Sequence, residues 1–242
     1  MFKIKGFLKQ KLLLGQVRRA ITDYNMIEEG DRIAVGVSGK DSITLLIALA
    51  QLQKFFDKKF YLEAITLTLG LGDIDLDFAK KLCEEIGVNY TIKETDIGKI
   101  VFEEKREKNP CSLCANMRRG ALHNTAKELG CNKVALGHHK DDVIETFMLS
   151  LLYEGRLHTF SPIAFLDRKE VYIIRPLILT SEMEIKEFVE ANEIIPIDNP
   201  CPVEGKTKRE EIKQLLASLS QQNSATKENI FGALKRAKIN GW

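Results

Sequence analysis

The stretch of sequence that decides the fold runs from Arg32 to Leu46 and reads RIAVGVSGKDSITLL. Its first half, up to Val37, has the β-branched content of a buried strand, and from Ser42 onward leucines recur at helical spacing. At such a strand–loop–helix turn, free backbone N–H groups and the positive end of the helix dipole point the same way, so few side chains are needed to hold an anion. The stretch therefore predicts a phosphate-binding site.

The polar loop at residues 38–42 matches neither G-x-x-x-x-G-K-[ST] nor G-x-G-x-x-G. It resembles the pyrophosphate loop S-G-G-x-D-S of the ATP pyrophosphatases with one glycine fewer: either one residue is deleted or Ser38 stands in for the first glycine. Small residues at Ser38, Gly39 and Ser42 let the backbone approach phosphate, and Lys40 adds positive charge. The alternative is an ordinary turn in which Ser and Asp cap the helix.

Strands and helices alternate along the rest of the chain. Further strands are predicted at 61–69, 90–95, 133–137 and 171–174, and helices at 77–86, 143–153, 182–190, 208–219 and 227–237. This alternation predicts an α/β fold with an open, mostly parallel five-stranded sheet and helices on both faces. A length of 242 residues suits a single domain made of an N-terminal helix (7–27), a core (31–200) and a C-terminal helical segment (203–242).

The composition is that of an ordinary globular protein, with 44% hydrophobic and 29% charged residues. No apolar run approaches the roughly 18 residues of a membrane span, and the first residues lack the apolar core of a signal peptide. We therefore expect a cytoplasmic protein with no membrane partner. A net charge of +2 neither favours nor excludes a nucleic-acid partner. The basic side of the first helix is explained more simply as a solvated face, although it would also suit an RNA backbone.

The five cysteines indicate reduced thiols and not a disulfide framework. Cys83 and Cys131 continue apolar patterns and are predicted to be buried. Cys111 and Cys114 form a C-x-x-C that leads into a predicted helix starting at residue 117, whereas Cys201 sits in a proline-rich loop. A helix N-terminus generally lowers the pKa of a thiol and so favours the thiolate, which binds metal or sulfur.

A second polar turn, GHHKDD, runs from Gly137 to Asp142 after the fourth predicted strand. The carboxyl ends of strands are where open parallel sheets bind ligands. Its histidines and carboxylates could ligate a metal, but acidic residues are also preferred at a helix N-terminus, and on spacing alone we favour capping.

Six motifs, in this order, resemble the tRNA 2-thiocytidine synthetases over roughly residues 15–216. They are EEGDR at 28–32, SGKDS at 38–42, CSLC at 111–114 followed by RRG at 118–120, LGHHKDD at 136–142, IRPL at 174–177, and Cys201. The three cysteines distinguish this family from lysidine synthetases and other pyrophosphate-loop enzymes, which share the loop but lack these cysteines.

The resemblance implies that the fold is like that of the adenine nucleotide alpha hydrolases. It also implies that the activity is that of an ATP-dependent tRNA sulfurtransferase. A cytidine C2 oxygen in the anticodon loop would be adenylated and then replaced by sulfur. The residues implied in binding ATP with Mg²⁺ are Ser38, Gly39, Lys40, Asp41, Ser42, Gly137, His138, Asp141 and Asp142. Asp41, Cys111, Cys114 and Cys201 are the implied catalytic residues. The three cysteines would hold a [4Fe-4S] cluster with one iron left open for sulfide.

The same resemblance implies tRNA as a partner, a sulfur donor such as a cysteine desulfurase, and a homodimer. Basic residues near the cysteines would contact RNA phosphates; they are Arg118, Arg119, Lys206, Lys208 and Arg209.

Three alternatives stay open on the residues alone. Zinc could replace the cluster, with His123 or His158 as a fourth ligand. The chain could be a lysidine-synthetase-like ligase that attaches an amine without metal. It could also be a non-catalytic nucleotide- or RNA-binding protein whose shortened loop has lost turnover.

Overall fold

The computed structural model describes residues 7–105, 110–197 and 208–242. Cys201 and Lys206 lie outside these residues. The helices are α1 (Phe7–Asp23), α2 (Lys40–Leu52), α3 (Asp77–Ile86), α4 (Ile97–Lys99, continued by a π-helix at Ile100–Lys105), α5 (Pro110–Glu128), α6 (Lys140–Glu154), α7 (Glu182–Ala191), α8 (Lys208–Gln222) and α9 (Thr226–Arg236). The strands are β1 (Arg32–Gly36), β2 (Tyr61–Leu67), β3 (Asn89–Lys93), β4 (Lys133–Ala135), β5 (Ile163–Leu166) and β6 (Val171–Ile174).

The strands form one sheet in the order β3-β2-β1-β4-β6-β5. All neighbouring pairs are parallel except β5 with β6. The predicted α/β fold and mostly parallel sheet are confirmed. The strand order reverses between β1 and β4, which is where open sheets of this type form a ligand crevice.

The sheet has six strands where the sequence predicts five. The additional strand, β5, lies inside the stretch 154–170, which the sequence analysis leaves without a strand. It pairs antiparallel with β6 across a four-residue turn that ends at Glu170, whose φ is +52°. All four of its residues, IAFL, are apolar, so the strand lacks the alternation of polar and apolar residues that identifies a half-buried strand in a sequence.

Helices cover both faces of the sheet, as predicted. On the larger face, Ile33 and Val35 of β1 join the main core, to which α1, α2 and α6–α9 contribute. On the other face, Ala34 of β1 packs with Leu122 and Ala126 of α5. This division follows from the two-residue period of a strand. Ten of the 13 residues of α2 are buried, which places the helix that follows the polar loop inside the core.

Two helix boundaries differ from the sequence-based prediction in ways that matter for the site. α5 starts at Pro110, seven residues before the predicted start at residue 117, so it contains both C-x-x-C thiols. Proline suits a first helical position, because its missing N–H would have no intrahelical acceptor there. α1 ends at Asp23, before Asn25, which adopts a positive φ of +47°. Among the described helices, none combines the length and apolar character needed to span a membrane.

Candidate active site

A cavity of about 740 Å³ opens at the carboxyl ends of β1, β2, β4 and β6. Of the nine residues implied in nucleotide binding, seven line it: Ser38, Gly39, Asp41, Ser42, Gly137, His138 and Asp142. The rest of the wall comes from β2, α5, α6, α8 and the segments around β6, and includes Ile65, Leu67, Ala115, Arg118, Arg119, Leu122, Thr146, Phe160, Arg175 and Arg209. Two loops that are about 100 residues apart in sequence thus form one concave site.

The polar loop after β1 closes around the hydroxyl of Ser42. The Ser42 Oγ accepts hydrogen bonds from the backbone N–H groups of Ser38, at 2.8 Å, and Gly39, at 3.1 Å. The same hydroxyl lies 2.9 Å from the Gly39 carbonyl oxygen, to which it donates. The loop therefore directs N–H groups toward one oxygen atom, which is the arrangement expected of an anion site at a helix N-terminus.

Gly137 is required by a close approach between the two loops. A Cβ atom at this position would lie 2.9 Å from the backbone nitrogen of Ser42 and 3.0 Å from the carbonyl carbon of Asp41. Both atoms belong to the backbone of the first turn of α2, so neither can move aside cheaply. A glycine after β4 therefore lets the second polar turn pack directly against the phosphate-loop helix.

Lys40 and Asp141, the other two residues implied in nucleotide binding, are not among the cavity-lining residues. The Lys40 ammonium contacts Asp41 Oδ1 at 2.7 Å and lies 3.7 Å from Glu182 Oε1. Asp141 accepts from Lys227 Nζ at 2.6 Å and from the backbone N–H of Glu182 at 2.8 Å. Both side chains thus link the starts of α2 and α6 to the neighbouring α7 and α9.

His139 and Asp142 cap α6, as the spacing favours. The backbone N–H of His139 donates to Asp142 Oδ2 at 3.0 Å, and the N–H of Asp142 donates to His139 Nδ1 at 3.4 Å. The other Asp142 oxygen accepts from Arg209 Nη1 at 3.0 Å. Arg209 also lies 3.5 Å from buried Glu145, whose pKa rises to about 7 because burial outweighs the attraction of the guanidinium.

His138 is neutral and has a fixed tautomer. Burial, assisted by the charge of Arg175, lowers its pKa to about 4. Its Nδ1 accepts a hydrogen bond from Arg175 Nε at 3.2 Å, so the proton of the neutral ring is on Nε2. The ring of Phe160 lies beside both residues, with its centroid 4.8 Å from that of His138 and 4.9 Å from Arg175 Cζ. His138 therefore offers an N–H donor in the cavity wall.

The C-x-x-C thiols lie on the helix that forms one wall of the cavity. Cys111 is exposed and Cys114 partly exposed, and neither is in a disulfide. Ala115 and Arg118, which line the cavity, are each four residues after one of these cysteines. Residues at this spacing lie on the same side of a helix, one turn apart. Two accessible sulfur donors near a helix N-terminus fit a soft metal centre such as an iron–sulfur cluster.

The other described cysteines are buried, as predicted. Burial raises the pKa of Cys83 to about 12 and that of Cys131 to about 11, so neither thiol ionises at neutral pH. His123 does not suit the alternative zinc site, because it is nine residues beyond Cys114 on α5, about 13 Å along the axis. Within the described ranges, which exclude Cys201, no three His, Cys, Asp or Glu residues are grouped as metal ligands.

Sequence reasoning assigned no role to Phe160, Thr146 or Arg175, and it gave Arg209 only an RNA contact. Arg175 lies in the IRPL motif, which contributes to the resemblance, but a motif match does not show where a side chain points. Phe160 lies in the stretch 154–170, where the pattern gives no signal. The packing of α6, α8 and the segments around β6 brings these side chains to the cavity.

Comparison with known proteins places the chain in a family. Residues 13–219 match the family described as the PP-loop domain. The tRNA-cytidine(32) 2-sulfurtransferase of Dechloromonas aromatica is 40% identical over 230 residues, which are 93% of this chain and 80% of the relative. That of Geobacter sulfurreducens is 38% identical over 231 residues, which are 94% and 90% of the two chains. The chain belongs to the tRNA-cytidine(32) 2-sulfurtransferase family. The resemblance drawn from the six motifs is confirmed.

A solved structure of a tRNA thiolase has the same fold. The U34-tRNA thiolase NcsA from Methanococcus maripaludis, solved with its [4Fe-4S] cluster, superposes with a TM-score of 0.74 at 25% identity. The alignment covers 94% of this chain and 79% of the thiolase. The chain therefore shares its architecture with a solved thiolase in addition to its sequence similarity to the 2-sulfurtransferases.

Proposed function

We propose that the chain is an ATP-dependent tRNA sulfurtransferase that adenylates the C2 oxygen of a cytidine in the anticodon loop and replaces that oxygen with sulfur. One observation carries the proposal: the phosphate loop and the helix that bears Cys111 and Cys114 contribute to the same cavity. A site that only bound nucleotide would have no need of two accessible thiols one helical turn from its wall.

In this proposal the loop from Ser38 to Ser42 binds the phosphates of ATP, and Gly137, His138 and Asp142 face them from the turn after β4. Mg²⁺ would neutralise the phosphates, and the carboxylates of Asp41 and Asp142 fit this ion because it prefers oxygen ligands. The apolar side chains of Ile65 and Leu67 at the end of β2 suit the adenine ring.

Adenylation solves a chemical problem that the cytosine poses. The C2 oxygen of a base is a poor leaving group, so direct displacement by sulfur is slow. If that oxygen attacks the α-phosphorus of ATP, an O–P bond forms and pyrophosphate leaves with the electron pair of the broken bond. A sulfur nucleophile then adds at C2, and AMP departs with the oxygen. The neutral His138 is suited to donate a hydrogen bond to a phosphoryl oxygen from Nε2.

Cys111, Cys114 and Cys201 would hold a [4Fe-4S] cluster that, when bound, supplies the sulfur for this displacement. The two described thiols fit this role by their exposure and by their place beside the cavity. Membership in the 2-sulfurtransferase family and the cluster in the related thiolase both support it.

Three arginines at the cavity, Arg118, Arg119 and Arg209, are suited to contact the tRNA backbone. Arg119 and Arg209 are exposed, whereas Arg118 is partly buried. We propose further that a cysteine desulfurase or similar donor renews the sulfur, that two copies form a homodimer, and that residues 1–242 form one domain that works in the cytoplasm. The donor and the homodimer rest on the resemblance to the family, whereas the single domain and the cytoplasmic location rest on the length and composition of the chain.

An assay of pyrophosphate release tests the proposed function against its rivals. With anaerobically purified protein, tRNA and a sulfide source, pyrophosphate should be released in step with 2-thiocytidine, and omission of tRNA should leave only a small background. Release that depends on an amine and yields no thiolated nucleoside would identify a lysidine-synthetase-like ligase. No release under any condition would identify a binding protein without turnover.

A further inference from the structure

Arg175 is a cation in the cavity wall with no acidic partner among the described residues. Its pKa falls to about 10 because it is largely removed from water, with a further contribution from the charge of Arg119. An arginine with this pKa is still fully charged at neutral pH. Arg209, in the same cavity, is paired with Asp142 at 3.0 Å and with Glu145 at 3.5 Å. The two arginines therefore differ in charge compensation.

Neutral groups hold the guanidinium of Arg175 in place. Its Nη1 donates to the backbone carbonyl of Ser161 at 2.7 Å, and its Nε donates to the neutral ring of His138 at 3.2 Å. The Phe160 ring lies 4.9 Å from its Cζ atom. These contacts fix the orientation of the planar group but leave its charge unneutralised, and burying an uncompensated charge is costly. The arrangement calls for an anion in the cavity.

The position of Arg175 in the sheet indicates which part of a ligand it meets. It follows β6 directly, whereas the phosphate loop follows β1, and β4 lies between these strands. Two strand spacings set the ends of β1 and β6 roughly 9–10 Å apart, so Arg175 meets a bound ligand from a different side than the loop does.

We propose that Arg175 binds the α-phosphoryl group of ATP, and then of the adenylated cytidine, while the loop from Ser38 to Ser42 holds the pyrophosphate portion. This inference rests on the proposed function. Arginine offers a planar fork of N–H donors that matches two phosphoryl oxygens. Its charge would offset the repulsion between the α-phosphoryl oxygens and the incoming C2 oxygen, and it would stay with the AMP portion after pyrophosphate leaves.

The test compares two product fragments as probes on the intact chain. In Arg175→Gln, we expect AMP to bind roughly 10-fold to 100-fold more weakly, because charge-assisted hydrogen bonds in a partly buried site are lost. Pyrophosphate should bind within about twofold of wild type, since its loop is untouched. Both affinities are measured by isothermal titration calorimetry. Retained pyrophosphate binding also shows that the variant is folded.

Two further variants make the outcome specific. Arg156→Gln removes an exposed arginine at the far end of α6 and should leave both affinities unchanged. Arg175→Lys keeps the charge but not the planar fork, and should restore only part of the AMP affinity.

Equal losses of AMP and pyrophosphate affinity in Arg175→Gln would overturn the inference, and so would unchanged AMP affinity with a defect confined to tRNA. Failure of the wild-type chain to bind either probe would instead count against the proposed function itself.

Discussion

Ser42 organises the shortened polar loop through its hydroxyl. That hydroxyl accepts hydrogen bonds from the two N–H groups of Ser38 and Gly39. In the proposed ATP complex, a phosphate oxygen would replace the hydroxyl as the acceptor. The serine is then free to donate to that oxygen. The hydroxyl thus stabilises the loop in the absence of nucleotide.

Ser42→Ala and Asp41→Ala should each lower the rate of pyrophosphate release at least about 100-fold, a loss typical of removing one group that stabilises developing charge. The first variant removes a donor at the loop, and the second removes a cavity carboxylate suited to Mg²⁺. Initial rates at saturating tRNA measure the effect. Ser218→Ala, at an exposed position of α8, is the matched control. Normal turnover in both loop variants would refute the assignment of the ATP site.

Glu145 makes the stability of the protein depend on pH. Burial raises the pKa of this carboxyl to about 7, against 4.5 in an unfolded chain. Between these values the folded state binds more protons than the unfolded state, so this group lowers stability as pH rises, by at most about 1.4 kcal/mol per pH unit. Glu145→Gln should remove this loss and be more stable than wild type at pH 8.

Urea denaturation at pH 5 and at pH 8 measures that difference. Glu211→Gln removes an exposed carboxylate on α8 that contacts Lys208. This control should leave the difference in stability between pH 5 and pH 8 nearly unchanged. If the free energy of unfolding of Glu145→Gln fell in parallel with that of wild type from pH 5 to pH 8, the buried carboxyl would not be the cause.

At the scale of elements, the C-terminal segment fixes the aromatic wall of the cavity. The indole N–H of Trp242 donates to the carbonyl of Phe160 at 3.1 Å, and Asn240 accepts from the N–H of Thr159 at 3.1 Å. Lys227 of α9 reaches Asp141 at the start of α6. Residues 226–242 lie beyond the part matched by the PP-loop family, yet they hold both loops on the β4 and β6 side of the site.

Trp242→Phe should raise the KM for ATP several-fold and cost about 1 kcal/mol of stability, because it keeps an aromatic ring but loses one hydrogen bond to the cavity wall. Steady-state kinetics and thermal unfolding measure the two effects. Tyr153→Phe is the control, since it removes a hydrogen bond to Glu211 at the opposite end of α6. An unchanged KM in Trp242→Phe would show that the tail does not position the wall.

The elements show which parts of the site local sequence can predict. The SGKDS and GHHKDD turns were found because a strand end, small residues and a helix start are adjacent in sequence. The ion pairs of Lys40 with Glu182 and of Asp141 with Lys227 were not found, because the two members of each pair are more than 80 positions apart in sequence. The roles of Arg175 and Phe160 were missed for the same reason. They arise from contacts between segments that are distant in sequence, which no local pattern predicts.

At the scale of the whole molecule, the cavity brings together the polar loop after β1, a cysteine-bearing helix and three arginines. Neutralising Arg118, Arg119 and Arg209 together should weaken tRNA binding and flatten its salt dependence by roughly one unit of logarithmic slope per lost phosphate contact. Filter binding between low and physiological salt measures the slope. Exposed arginines that do not line the cavity, Arg156 and Arg168, serve as the control for loss of charge. An unchanged slope in the triple variant would place the RNA elsewhere.

The central claim is that one cavity couples ATP-driven activation of a cytidine to sulfur supplied at Cys111, Cys114 and Cys201. The measurement that tests it most directly is iron content together with 2-thiocytidine yield, determined anaerobically for alanine variants of all five cysteines. The account predicts that both quantities are lost at these three positions and kept at the buried Cys83 and Cys131. A protein that contains zinc and no iron, yet still thiolates tRNA in the presence of ATP, would contradict it.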